Sequence, residues 1–453
     1  MSTSYIILIV VAGVTLLLLM VLKFKLNAFI ALLITSIVVG IMAGMPLQNI
    51  SASIQEGMAS TLGFVATVVG LGAIFGQMLE SSGGAKSLAH YLLKKFGTKK
   101  APWALSLTGF IIGIPVFLDV GFIILIPIVY ALTRDTKRSV LYYAIPLLAG
   151  LAVTHTMVPP TPGPTAVSEI LGVDLGWVIM MGLLVGLPSV VIAGPFFGRF
   201  IAKKIYIPAP PELQEAIPEA GSPAVKLPSF GIIALIIMTP LLLILMSTFI
   251  KLGVDKGVLT SSFLTELLIF IGHPFTALII ATLISILLCI KRKMSGQSIL
   301  DLSTKALGPA GIIILVTGAG GVLKQILVDS GIGKILAESI ADSSIPLIVL
   351  AWVLAALVRI TQGSATVAMI TAAGIMSPLL SSFSLDQPNI ALIVISIAAG
   401  ATILSHVNDS GFWIVSKYLG MNEKQTLQSW TVMETIIAVS GLIFTLIVSL
   451  FFR

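Results

Sequence analysis

One arginine stands in the middle of a long apolar stretch. Arg359 interrupts Pro346–Leu380 within the run Arg359-Ile-Thr-Gln-Gly-Ser-Ala-Thr366. A guanidinium at membrane depth is costly unless it is paired or hydrated. Its planar fork can hold a carboxylate through two parallel hydrogen bonds. Asp119 and Asp409 are the structural partners it could take instead. Beside it, Gly363, Ser364 and Thr366 form a small, hydroxyl-bearing turn. Such a turn permits close backbone approach and, at the start of a helix, suits an anion, or it simply packs tightly.

Other candidates fall in similar interruptions. Asp119 ends Gly113-Ile-Pro-Val-Phe-Leu-Asp119, an otherwise apolar segment. A carboxyl buried there would favour its neutral form, as a proton carrier must. It could also cap the following helix or bind a hydroxyl. His155 and His406 lie in Thr154-His-Thr-Met-Val-Pro-Pro-Thr-Pro-Gly-Pro164 and Ser405-His-Val-Asn-Asp-Ser-Gly411. Histidine titrates near neutral pH and suits proton coupling, or it hydrogen-bonds a loop and nothing more. Asn408 and Asp409 offer groups to substrate hydroxyls, and Asn408 can equally satisfy loop backbone. Thr161 and Gly163 join the candidate substrate set. Glu169 and Glu434, on or near helices where they could face water, receive no leading role.

The elements that position these residues are membrane spans. Of 453 residues, 57% are apolar and 10% charged, too little charge to cover a water-soluble surface. Tyr5–Leu22, Asn27–Met45, Thr61–Leu79, Trp177–Pro195, Gly231–Ile250, Leu267–Ile290 and Val432–Phe452 are long enough to cross hydrocarbon. The first run has no basic leader, so we expect it to be kept as a span. Leu88–Phe96 reads as an amphipathic surface helix or a solvated loop. Cys289 is the only cysteine, which excludes an internal disulfide and a multi-cysteine metal site.

The chain repeats itself. Gly72–Ala89 and Gly320–Ala337 share eight of eighteen residues, and Gly163–Gly172 and Gly411–Gly420 share five of ten, both at an offset of 248. Each copy reads as three helices, a re-entrant hairpin with arms of 12–14 residues, a broken helix and a final helix. Five crossings per copy is odd, so the second copy is expected inverted. We expect a first repeat over 1–207, a cytoplasmic linker over 208–228, rich in proline, and a second repeat over 229–453. With the termini outside, twenty Lys and Arg fall on the cytoplasmic side against five outside, as the positive-inside rule requires. That distribution, rather than nucleic-acid binding, accounts for the net charge of +7.

Inverted repeats with interrupted helices belong to alternating-access carriers, whose substrate and ion sites lie at the interruptions. The stretches GIPVFLDVGFIILIP, THTMVPPTPGPTA, GSATVAMITAAG and SHVNDSGFW resemble the signatures of the gluconate permease family, within the wider ion transporter superfamily. The resemblance spans nearly the whole chain. It implies a bacterial inner-membrane proton symporter for gluconate or related sugar acids, D-serine in some members. It also implies a homodimer in which a hairpin-bearing domain slides as an elevator. Several members have Glu where this chain has Asp119, and PPHP where it has Pro159-Pro160-Thr161-Pro162. No metal or cofactor motif is present, nor HExxH spacing or a nucleophile with an evident base, so we expect neither cofactor nor enzymatic chemistry.

Overall fold

A computed structural model describes residues 3–208, 227–332, 345–380 and 382–452. Every regular element among them is helical. Among the described residues, seven helices are long and apolar enough to cross a bilayer.

The first half runs α1 (Thr3–Leu22), α2 (Ala28–Met42), α3 (Leu47–Ser81), α4 (Gly84–Phe96), α5 (Ala101–Ile112), α6 (Leu118–Thr136), α7 (Leu141–Met157), α8 (Pro162–Leu171) and α9 (Leu175–Lys204). The second runs α10 (Phe230–Asp255), α11 (Phe263–Ile271), α12 (Pro274–Lys291), α13 (Gly296–Asp329), α14 (Leu347–Gln362), α15 (Ala365–Leu380), α16 (Gln387–Gly400), α17 (Ser410–Leu419) and α18 (Glu423–Ser449). Each half thus presents long helices, a helical pair joined by a short tip, an interrupted helix and a final helix. The short helices α8 and α17 stand 248 residues apart at both ends. Both stop at a left-handed glycine, Gly172 and Gly420, which satisfies their last carbonyls. Each final helix contains one π-helical turn, Ile192–Phe196 in α9 and Leu427–Thr431 in α18.

Several expectations need adjusting. Leu267–Ile290 is not one span: α11 ends at Ile271 and α12 starts at Pro274. Proline lacks the amide that would continue a helix and fits its first position, while His273 caps the new start with its ring nitrogen. Three of the four arms of the two tips are also longer than expected: α5 has 12 residues, but α6, α14 and α15 have 19, 16 and 16. In α6 the excess is polar, since Arg134-Asp-Thr136 extends the apolar stretch. Leu88–Phe96 is helical within α4, burying Leu88, Ala89 and Leu92 and carrying Lys94 and Lys95 in its last turn. The linker lies outside the described residues except for Pro208, Leu227 and Pro228.

Long helices frame the molecule. α3 and α13 contain 35 and 34 residues, about 50 Å each at 1.5 Å per residue. They cross backbone to backbone. A Cβ on Gly57 would stand 2.6 Å from the Gly321 carbonyl oxygen, and one on Gly321 would stand 2.5 Å from that of Gly57. Lipid gives helices no hydrophobic reason to associate, so close van der Waals contact through small residues has to supply the attraction. Around this pair, α5 and α6 both pack on α7, and α15 packs between α14, α13 and α8.

Candidate functional site

Three helix starts and one buried cation meet at a cavity of about 460 Å³. The first turns of α6 (Leu118, Asp119, Val120), α15 (Ala365, Thr366) and α17 (Ser410, Gly411) all line it. Helix N-termini carry unpaired amides and partial positive charge, so three of them make the space favourable to an anion. Arg359, in the last turn of α14, adds a full charge and is only 3% exposed.

Asp409 partly neutralises that charge. Arg359 Nη2 donates to Asp409 Oδ2 at 2.6 Å. The same carboxylate accepts from Ser405 Oγ, and its Oδ1 caps α17 by accepting from the Gly411 amide at 3.0 Å. Ser405 in turn accepts from Trp430 Nε1 at 2.6 Å, tying the break to α18. Asp409 is therefore a counter-ion and helix cap with both oxygens engaged. The guanidinium is not exhausted: Arg359 Nε and Nη1 are buried without a partner. Gln362 Oε1, Glu434 Oε1 and His155 Nδ1 are buried and unpartnered as well, and all four residues line the cavity. One unmade buried hydrogen bond costs about 1–3 kcal/mol, and more for a charged group. Such a set leaves unmade hydrogen bonds on residues around one cavity, which a polar molecule could satisfy.

The second tip is fastened to the second break. His406 Nε2 pairs with the Ile360 carbonyl at 2.9 Å, and Asn408 Nδ2 donates to the Thr361 carbonyl at 3.2 Å. Gly363 closes α14 with φ +85, and a Cβ there would stand 2.4 Å from the Asn408 backbone oxygen. Only glycine meets both demands. Leu404, in the break, holds a left-handed backbone at φ 47, a strain tolerated because the surrounding bonds fix it. Ser364 Oγ accepts from the Val367 amide at 3.4 Å, so it serves the start of α15.

The expected site residues divide accordingly. Arg359, Gly363, Ser364, Thr366, Asn408, Asp409, Asp119 and His155 gather at the cavity. His406 does not line it and serves the tip backbone. Thr161 and Gly163 lie elsewhere. The Thr161 hydroxyl donates to the Val158 carbonyl at 2.7 Å, and a Cβ on Gly163 would meet Met369 at 2.9 Å. The first break, Val158–Thr161, packs behind the first tip and leaves almost no space. His155 belongs to the last turn of α7 rather than to that break. Asp119 is the second residue of α6, makes no side-chain cap, and is exposed to the cavity rather than buried. The burial on which its proton-carrier role depended is missing.

Sequence reasoning passed over Gln362, Trp430 and Glu434. Glu434 could face water by its sequence position, yet it is 4% exposed and lines the cavity. Its signal was available: it is the only acid within the apolar part of a long final span, and an intramembrane carboxyl marks a functional site by default. Gln362 and Trp430 gave no comparable signal.

A family profile described as GntP family permease matches residues 5–451. The chain belongs to the GntP permease family. The resemblance read from its four motifs therefore holds. A gluconate permease of Bacillus licheniformis is 40% identical, covering 98% of this chain and 99% of its own. The low-affinity gluconate transporter of Escherichia coli K12 is 40% identical over 98% of each chain. The Gnt-II system L-idonate transporter of the same organism is 36% identical, over 96% of this chain and 97% of its own. Among solved structures, the Alcanivorax borkumensis YdaH transporter shares the fold, with TM-score 0.57 and 15% identity over 89% of this chain and 87% of that one. This GntP permease is thus a multi-pass membrane transport protein and not an enzyme.

Proposed function

We propose that this GntP permease is a proton symporter that imports gluconate or a closely related small hydroxy-carboxylate across the bacterial inner membrane. The observation that carries the reading is Arg359, buried in the cavity wall, held by Asp409 through Nη2 and left without partners on Nε and Nη1. The substrate carboxylate takes that free edge and the N-terminal amides of α15. Gln362 and the cavity's hydroxyl groups take the sugar-acid hydroxyls. Relatives named for gluconate and for L-idonate favour an aldonate. Glycerate, a tetronate, 3-hydroxybutyrate and D-serine share the carboxylate-plus-polar pattern.

The proposed architecture is two inverted repeats, 1–207 and 229–453, joined by a cytoplasmic linker, with both termini outside. The shared element order and the 248-residue spacing of α8 and α17 support duplication. The charge asymmetry of the loops supports inversion. On this reading the tips and breaks move as one body, in an elevator, within a homodimer.

Counterflow in proteoliposomes tests the function. Unlabelled gluconate inside should accelerate entry of labelled gluconate, which a channel does not do. An inward proton gradient should drive accumulation without sodium, and a protonophore should collapse it. Absence of trans-stimulation for gluconate and every aldonate in a competition panel would remove the reading.

A further inference from the structure

Glu434 is a carboxyl of the cavity for which carboxylate binding alone has no use. It sits near the start of the apolar stretch of α18, is 4% exposed, and its Oε1 is unpartnered. The charges that reach it are Arg359, from α14, and Asp409, from the break before α17. His155 on α7 and Asp119 on α6 complete the titratable lining among the described residues. Asp119 opens to the cavity, whereas Glu434 is closed in on its protein side.

Charge counting then constrains what Glu434 can do. Arg359 supplies one positive charge and Asp409 answers it at 2.6 Å. An ionised Glu434 gives two carboxylates around one guanidinium. A substrate carboxylate on the free edge of Arg359 would make three. Like charges crowded in a site of low dielectric suppress ionisation of the group with the weakest stabilisation. Of the two protein carboxylates, Asp409 has three donors, while Glu434 has an oxygen with none.

We propose that Glu434 takes up the coupled proton, holding it while a substrate carboxylate occupies Arg359 and releasing it when that carboxylate leaves. The inference rests on the proposed binding of a carboxylate at this cavity. One proton enters on a Glu434 oxygen for each carboxylate bound. Empty, with Glu434 ionised, the three side chains sum to one negative charge. Loaded, with Glu434 neutral and the anion present, the site again carries one. The transported unit therefore crosses without adding net charge to the moving body. Because linkage is reciprocal, proton and substrate strengthen each other's binding.

Isothermal titration of the purified full-length protein with gluconate, in two buffers of different ionisation enthalpy, reads the protons taken up. Wild type should bind about one proton per gluconate once the pH is above the range where Glu434 is already protonated, with affinity weakening up to about tenfold per pH unit. Glu434→Gln should still bind, take up close to none, and lose the pH dependence, since the amide stands in for the neutral carboxyl. Glu434→Asp should restore proton uptake, which a purely structural role would not predict. Proton uptake by Glu434→Gln equal to that of wild type overturns the inference. So does a wild type that binds gluconate with no proton uptake at any pH, and that result leaves the carboxylate site standing. Absence of binding for gluconate and all related aldonates instead removes the reading beneath it, and the inference with it.

Discussion

Arg359 Nη2 meets Asp409 Oδ2 at 2.6 Å while Arg359 Nε and Nη1 stay buried and unpartnered. The pair is therefore bonded on one edge and unpartnered on the other. A buried ion pair that is fully hydrogen-bonded makes a fixed strut. One that leaves two of the three guanidinium nitrogens without partners would gain from a ligand that supplies the missing bonds, because unmade buried bonds are costly.

Arg359→Lys keeps the charge and can keep Asp409 company, but it loses the fork. The lost bidentate contact should cost about 2–3 kcal/mol, raising the gluconate concentration for half-maximal uptake roughly 30- to 150-fold. Radiolabelled uptake beside a western blot of membrane-inserted protein measures this. Unchanged affinity at normal abundance would take Arg359 out of the substrate site.

Gly363→Ala forces a side chain into a left-handed backbone and against the Asn408 carbonyl. The backbone term alone is about 1–2 kcal/mol, and the contact adds to it. The tip should separate from the second break, lowering thermal stability and abolishing uptake. Fluorescence-detected size exclusion after heating reads the first effect. A variant that melts and transports like wild type would show that the tip does not need its bond to the break.

Asp119→Asn removes a charge from the cavity lining without unpairing any hydrogen-bonded group found among the described residues. Uptake should slow severalfold, but the accumulation ratio under a proton gradient should survive, since Asp119 is exposed to the cavity. Steady-state accumulation in proteoliposomes decides it. Loss of accumulation with exchange intact would transfer the coupling role from Glu434 to Asp119.

Asp174 yields a pH prediction on stability. Burial pushes its carboxyl up, but the hydrogen bond from Thr248 at 2.5 Å, the Lys251 ammonium at 3.0 Å and the Gly176 amide outweigh that and hold it below the usual 3.8. A depressed folded value means a contribution fully present at neutral pH and lost as pH falls below the ordinary carboxylate range. Asp174→Asn should lower the melting temperature at neutral pH, and the gap from wild type should narrow once the pH drops below about 4. A gap independent of pH would mean that the loss is one of packing at the start of α9.

The sequence alone determined the membrane class, the helical make-up and the family. Those properties are local or additive: apolar run length sets spans, Pro and Gly set interruptions, and contiguous signature stretches carry the family. It also picked out Arg359 and the second tip, because a lone charge in an apolar stretch needs an explanation wherever the chain puts it. It misjudged groups whose role depends on depth and direction. Asp119 looked buried because its neighbours are apolar, yet its place in the first turn of α6 opens it to the cavity. Glu434 could face water as a residue on or near a helix, and the folded chain buries it within reach of the Arg359 charge. Thr161 and Gly163 resembled Asp409 and Gly411 in repeat position, but only the second break reaches the cavity, while the first is spent packing behind the first tip. Periodicity and composition report what each segment needs to hide or expose. Which unsatisfied groups face one another is set by contacts between residues tens to hundreds of positions apart, and only the folded chain decides that.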